Sequence, residues 1–165
     1  MPEAATIGGN IMTHETRKII GRADRIDLPE LGYLGVYAKV DTGAKTSAIW
    51  ASNVFERDGG LAFTLFGEGH PLYTGEELFV SQFSRVVVAS SIGAEQGRYK
   101  VVFLVKLRGK KIRAAFTLAD RSKQAYPVLI GRNVLRGKFL VDVKSGRPDH
   151  SAENRRSEEL QKEQE

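Results

Sequence analysis

The segment Val36-Tyr37-Ala38-Lys39-Val40-Asp41-Thr42-Gly43-Ala44 joins a run typical of a β-strand to a tight turn that begins at Asp41. Gly43 permits a turn that a side chain would obstruct, and Ala44 stays small where a backbone or ligand must approach. We expect Asp41 to face a cleft, with Thr42 able to bond across to its counterpart in another copy of the chain. Taken alone, Asp-Thr-Gly is also the sequence of an ordinary turn.

A second segment is Pro127 to Leu135, and here Tyr126 to Ile130 is predicted to form a short apolar strand that is stopped by Gly131. Residues 133–136 are predicted to form a single helical turn, with Asn133 as its N-cap. Further strands are predicted at 61–66, 85–88, 99–107, 112–118 and 139–143, with a turn at Arg108-Gly109-Lys110. Many short strands separated by turns predict a small barrel or sandwich.

Asp41 to Ala44 and Leu129 to Leu135, in this order, resemble the two motifs of the retropepsin-like aspartic peptidases. The resemblance implies a mainly β fold, a small closed acid-protease barrel with one short helix and a flap hairpin. More narrowly, residues 39–48 and 129–143 resemble a bacterial branch often labelled "ATP-dependent zinc protease". That branch is associated with ATP-grasp ligases that add glutamates to proteins, which implies a functional link to such a ligase.

The resemblance implies that Asp41, Thr42 and Gly43 form a catalytic turn. Aspartic peptidases need two carboxylates that share a proton, one acting as general base and the other as proton donor. The sequence contains one Asp-Thr/Ser-Gly, since the segments at Asp120 and Asp142 lack the glycine. A homodimer would supply the second carboxylate by symmetry.

A lid over the cleft is expected between the strands that end at Val88 and begin at Tyr99. Its tip is rich in small residues, and Ser91 and Gly93 are our candidates for contact with substrate. An ordinary exposed hairpin loop is an equally open interpretation of the sequence alone.

Two cations stand where retroviral members usually carry an ion pair, Lys45 after the catalytic turn and Arg132 after the later glycine. We expect Lys45 and Arg132, together with Ala44, to bind substrate, and the two cations to hold its carboxylates. The alternative is that both cations extend into solvent or pair with Glu56 or Asp58.

The charge of the chain points to an anionic partner. The formal net charge of the 165 residues is +5, but residues 149–165 hold six acidic and three basic residues, which leaves +8 on the rest. An acidic or glutamylated peptide is the favoured substrate. The alternative is a non-catalytic basic β-barrel that binds nucleic acid or an acidic protein partner. Nucleic acid is disfavoured because the most basic stretch, 106–113, lacks interleaved aromatic residues.

Several classes of site are not expected. The chain has no cysteine, its three histidines (His14, His70 and His150) are far apart in sequence, and no phosphate-binding Gly-rich motif occurs, so neither metal nor cofactor is predicted. His70 is expected in a surface loop. No membrane span or signal peptide is recognised, and a cytoplasmic location is predicted. We divide the chain into a disordered N-terminal segment (1–16), a retropepsin-like peptidase domain (17–146) and a charged, solvated C-terminal tail (147–165). The alternative for the tail is a frayed helix from Ser151 onward, which would lack an apolar stripe.

Overall fold

The computed structural model describes residues 16–89 and 92–164. Within them lie eleven strands and two helices. The strands are β1 Lys18–Ile20, β2 Ala23–Leu28, β3 Tyr33–Val40, β4 Ser47–Arg57, β5 Gly60–Leu65, β6 Glu77–Val80, β7 Ser84–Ala89, β8 Glu95–Leu107, β9 Lys110–Ala119, β10 Val128–Ile130 and β11 Phe139–Val141. The helices are α1 Arg132–Leu135 and α2 His150–Lys162. Neither is long and apolar enough to cross a membrane.

Six strands close into a barrel in the order β10-β3-β2-β8-β9-β4. The short strand β10 makes the closure, because Val128 pairs with Ala38 of β3 on one side and with Ile49 of β4 on the other. The predicted mainly β barrel is therefore confirmed. Strand β3 delivers Asp41 and strand β10 delivers Gly131, and these two strands run parallel and side by side.

The core follows from the alternation of side chains along the long strands. On β8, Val101, Phe103, Val105 and Leu107 point inward, while the residues between them are exposed or half-buried. The ring of Phe103 packs edge-to-face against Phe116, with centroids 5.8 Å apart. Each fully buried side chain of this size contributes about 1.5–3 kcal/mol by leaving water, and the core they form makes a rigid base for the loops.

The predicted turn between the two longest strands is confirmed. Leu107 pairs with Lys110, so Arg108 and Gly109 form a two-residue hairpin loop. Both have positive φ, 50° and 80°, as this type of tight hairpin requires.

The predicted N-cap role of Asn133 is wrong. Helix α1 begins at Arg132, with Gly131 in the cap position and no side-chain cap bond. The amide of Asn133 is instead engaged with Ser47 and Ala115, as described below. Strands β1, β2, β4 and β6 were not predicted.

A helix occupies most of the segment for which a solvated tail was predicted. Asp149 caps α2 by accepting a bond from the Ala152 amide at 3.1 Å. The helix docks through Glu153, which accepts from Arg22 (3.1 Å from Nη2 to Oε2) and from the Tyr126 hydroxyl (2.6 Å). The bond from Arg22 is the main reason that the pKa of Glu153 falls to about 2. Residues 1–15, for which disorder was predicted, lie outside the described residues.

Candidate active site

Asp41 lies at the carboxyl end of β3 in a turn that its own groups help to hold. Its backbone N–H donates to the carbonyl of Ile130 at 2.9 Å, which ties the turn to β10. Its Oδ1 accepts from the Gly43 N–H at 3.0 Å. A Cβ on Gly43 would lie 3.3 Å from that oxygen, a tight contact that the glycine avoids. Oδ1 is thus fixed by the backbone, while Asp41 remains half-buried and Thr42 and Gly43 are exposed.

The second motif lies directly against this turn. The backbone N–H of Arg132 donates to the Ala44 carbonyl at 2.8 Å. At Gly131 the fit is closest, since a Cβ there would lie 2.7 Å from the carbonyl carbon of Thr46 and 2.9 Å from the carbonyl oxygen of Ala44. A glycine is needed at this position because the two backbones leave no room for a side chain.

A pair of side chains, Ser47 and Asn133, joins the two motifs from within. The Ser47 hydroxyl donates to Asn133 Oδ1 at 2.8 Å and accepts from the Gly131 N–H at 2.9 Å. Asn133 Nδ2 donates to the carbonyl of Ala115 on β9 at 2.8 Å. The amide therefore links three parts of the chain, and sequence reasoning missed this role.

Arg132 also braces the Asp41 turn from outside. Its Nη1 donates to the carbonyls of Gly43 at 2.8 Å and of Thr42 at 3.2 Å. Lys45 is exposed and lies one residue beyond the turn. Both cations line one groove of about 780 Å³, so the structure brings them to one surface together with the Asp41 turn.

Glu56, one of the two alternative partners considered for these cations, is engaged elsewhere. Glu56 accepts from the Arg85 guanidinium and, at 3.3 Å, from the Tyr99 hydroxyl. Across residues 16–89 and 92–164, no ion pair joins Lys45 or Arg132 to a carboxylate within 4 Å. The two cations are therefore available to an anion.

The hairpin predicted as a flap is formed by β7 and β8. Its pairing runs from Ser84↔Lys100 to Ala89↔Glu95. Gly93 lies in its turn with φ of 80° and open space around it, whereas Ser91 falls outside the described residues. The bonds from Arg85 and Tyr99 to Glu56 of β4 anchor the base of the hairpin.

Arg121 is a further cation near the site, and sequence reasoning did not select it. Its Nε donates to the Tyr126 carbonyl at 2.9 Å. The pKa of Arg121 is lowered to about 10, mainly by burial and also by repulsion from Arg98, while attraction to Asp41 opposes both effects. A half-buried guanidinium thus lies within electrostatic reach of the Asp41 carboxylate and of Arg98 on the flap hairpin.

His70 is not the simple surface-loop residue that was expected. Its ring stacks on Phe66 with centroids 4.7 Å apart and meets Trp50 edge-on at 5.7 Å. Its Nδ1 accepts from the Leu72 N–H at 3.1 Å, and burial lowers its pKa. No group of three or more His, Cys, Asp or Glu side chains in the described part of the chain is arranged to hold a metal ion.

Comparison with known proteins gives a match to a family model and a similar solved structure. A family model described as "Retropepsin-like aspartic endopeptidase RimB" (RimB-like) matches residues 19–148. A protein of Legionella pneumophila, Lpg0085, described as of unknown function, is similar in structure with a TM-score of 0.58 and 26% identity, over 78% of this chain and 95% of that one.

Curated relatives carry a different name. A "Probable alpha-L-glutamate ligase" of Shewanella pealeana is 32% identical over 136 residues, which is 78% of this chain and 29% of the relative. Its namesake in Desulfotalea psychrophila is 31% identical over 132 residues, 76% of this chain and 28% of the relative. The chain therefore spans less than a third of the length of these relatives.

Proposed function

Since the chain belongs to the RimB-like family of retropepsin-like aspartic endopeptidases, we propose that it is an aspartic peptidase in which Asp41 supplies one of two catalytic carboxylates. The observation that carries this proposal is the Asp41 turn itself. A half-buried carboxylate is held by the Gly43 amide at the end of a strand, in a turn braced by Arg132. The sequence motif and the geometry of the turn therefore point to the same residue, Asp41.

The chemistry follows from two like charges in contact. Two adjacent carboxylates cannot both ionise easily, so the pair keeps one proton over a wide range of pH. The ionised carboxylate takes a proton from a water molecule, which attacks the carbonyl carbon of the substrate. The protonated carboxyl donates its proton to the carbonyl oxygen. The flap hairpin excludes bulk water from this step.

The second carboxylate is proposed to come from Asp41 of a second copy. Two features favour such a homodimer. Thr42 and Gly43 are exposed at the tip of the turn, where a symmetric partner can meet them. Ile19 and Leu140, register partners on the two-stranded sheet β1–β11, are 60% and 52% exposed and form an apolar patch suited to a partner surface.

The proposed substrate is an acidic peptide, in particular a glutamylated protein. Lys45 and Arg132 lie beside the catalytic turn without carboxylate partners among the described residues, and a substrate carboxylate would neutralise them. The relatives are named probable alpha-L-glutamate ligases, and the present chain covers less than a third of their length. A peptidase related to part of such a protein is suited to cut the chains that a ligase extends.

The deciding experiment compares wild type with Asp41→Asn on a glutamylated peptide, with products identified by mass spectrometry. Wild type is expected to cleave the peptide, and Asp41→Asn to lose at least about a hundredfold in kcat/KM because the dyad loses its base. The control is Asp58→Asn, since Asn-Gly suits the tight turn at Asp58-Gly59, where φ is 49° and 74°. Cleavage by Asp41→Asn at the wild-type rate would refute the catalytic role. Binding of acidic peptides or nucleic acid without any cleavage by wild type would favour the non-catalytic alternative.

A further inference from the structure

The groove that contains Lys45 and Arg132 holds more cations than the sequence led us to expect. Lys100 of β8 and Arg136, the residue after α1, line the same groove. Acidic side chains are absent from the described residues that line it. Four positive charges from three separate parts of the chain thus face one concave surface of about 780 Å³, a size typical of ligand sites.

These four charges have no internal partners to balance them. Across 16–89 and 92–164, none forms an ion pair within 4 Å, whereas Arg22, Arg57 and Arg85 do. Like charges that share a groove repel one another, and a bound anion would relieve this repulsion. The groove is therefore complementary to a ligand with several negative charges.

The floor of the groove differs from its rim. Leu135 and Phe139 line it and are buried, whereas Lys45, Arg132 and Arg136 are exposed. An apolar floor with a cationic rim suits side chains that have an aliphatic stem and a terminal carboxylate, because the stems can pack while the carboxylates reach the rim. Nucleic-acid bases would instead require aromatic stacking surfaces, and Phe139, which is buried, is the one aromatic residue among the described lining residues.

The groove is adjacent to the Asp41 turn but does not include Asp41 itself. Thr42 lines it, whereas Asp41, Gly93 and Arg121 do not. A peptide chain that occupies the groove can therefore continue past Thr42 to the catalytic carboxylate.

We propose that this groove is a second substrate-binding subsite, in which Lys100 and Arg136 extend the Lys45–Arg132 pair and hold an acidic stretch of the peptide chain several residues from the bond that is cut. Its role in selecting substrates rests on the proposed peptidase function. Its affinity for an acidic chain does not, because binding needs no hydrolysis.

The test measures binding of a fluorescein-labelled octaglutamate peptide by anisotropy, in an Asp41→Asn background that prevents cleavage. Adding Lys100→Gln and Arg136→Gln is expected to weaken binding about five- to tenfold, the effect of losing two exposed charge contacts. The exchanges Lys100→Arg and Arg136→Lys should retain most of the affinity, which excludes misfolding as the cause of the loss.

The matched control adds Lys106→Gln and Lys111→Gln instead. Lys106 and Lys111 are register partners on β8 and β9, are exposed and lie outside the groove. Their exchange for glutamine therefore changes the net charge by the same amount as the exchange of Lys100 and Arg136. The affinity of this control variant for octaglutamate should stay within about twofold of that of the Asp41→Asn protein. Equal weakening in both sets, or none in either, would overturn the proposal. The proposal would also be overturned if an oligonucleotide bound more tightly than octaglutamate and its binding weakened when Lys100 and Arg136 were changed to glutamine.

The two proposals fail in different ways. If wild type cleaves nothing while the groove variants lose affinity, the peptidase function is wrong and the subsite stands. If wild type cleaves acidic peptides and the groove variants bind and cleave them equally well, the subsite is wrong and the peptidase function stands.

Discussion

At Gly131 the backbone of one motif passes against the carbonyl groups of the other, so closely that an added Cβ would lie 2.7 Å from the Thr46 carbonyl carbon. The two backbones cannot move apart easily, because the Gly131 N–H donates to the Ser47 hydroxyl and the Arg132 N–H donates to the Ala44 carbonyl. A methyl group here must push the Asp41 turn away from β10.

We therefore expect Gly131→Ala to lower the free energy of unfolding by about 1–3 kcal/mol, the usual cost of inserting a methyl group into a packed site. Urea denaturation of the purified variant would measure it. Gly97→Ala is the control, because nothing lies within 4 Å of the added methyl group, and its effect should stay within about 0.5 kcal/mol. A Gly131→Ala protein as stable as wild type would contradict this account of the contact.

Lys45→Glu tests the role of charge next to the catalytic turn. The exposed Lys45 has no carboxylate partner within the described ranges, so the change should remove an attraction for substrate rather than an internal bond. We expect kcat/KM for a glutamate-rich peptide to fall about tenfold or more, and kcat/KM for a neutral peptide to change little. Lys106→Glu serves as the control, and equal losses on both peptides would count against a carboxylate receptor.

At the scale of single residues, the sequence identifies those whose structural role depends on their neighbours along the chain. Asp41 and Gly43 belong to a turn that can be recognised from four residues, and Gly131 stops an apolar run. The bonds of Asn133 could not be inferred in this way, since its partner Ser47 lies 86 residues away. Arg121 is likewise defined only by what surrounds it in space.

Among the elements, α2 is attached to the barrel by few contacts. Ala152 is its one buried residue, and Glu153 provides the polar anchor to Arg22 and Tyr126. Burial and the bond to Glu153 together raise the pKa of the Tyr126 hydroxyl to about 12. Tyr126 begins the segment that leads through β10 to Gly131, and the carbonyl of Arg22 accepts from the Val40 N–H at 2.9 Å, so the helix is connected to the site through Tyr126 and Arg22.

The depressed pKa of Glu153 makes this anchor dependent on pH. A carboxylate whose pKa falls from 4.5 to about 2 on folding stabilises the folded state fully above pH 4.5. This stabilisation is lost as the pH falls through about 2. Because the group is partly solvated, we expect Glu153→Gln to cost only about 1 kcal/mol at pH 7.

Urea denaturation of wild type and Glu153→Gln at a series of pH values would measure this dependence. The difference should shrink below pH 4.5 and vanish near pH 2. Glu158→Gln, at an exposed position of the same helix, is expected to have no such effect. A difference between wild type and Glu153→Gln that is constant with pH would show that the ion pair is not its source.

Prediction of elements succeeded where the pattern is uninterrupted. Strand β8 alternates between buried and more exposed residues from Val101 to Leu107, and it meets β9 at a tight turn with a glycine. Strand β4 escaped prediction because its buried residues cluster at one end and its pairing with β5 shifts register between Ser52 and Phe55. Helix α2 has no apolar stripe, and its docking depends on one ion pair that the sequence does not reveal.

For the whole molecule, the proposed shared catalytic site would make the two copies interdependent. If each active unit needs Asp41 from both chains, mixing wild type with Asp41→Asn in equal amounts leaves about a quarter of the dimers intact, against about half of the sites if each chain acts alone. We expect activity near a quarter of that of the same total amount of wild type, after subunits have exchanged. Mixing with Asp58→Asn should leave activity unchanged, and a value near one half would exclude a shared site.

The closing strand of the barrel also sets the order of events during synthesis. The partners of Ser47 at Gly131 and Asn133 follow it by 84 and 86 residues, on the far side of the strand that seals the barrel. A nascent chain that has left the ribosome only as far as β9 carries Asp41 but lacks the bonds from β10 and α1 that brace its turn. Under the proposed function, cleavage activity should thus arise late and all at once, so that an unfinished chain would not attack the translation machinery around it.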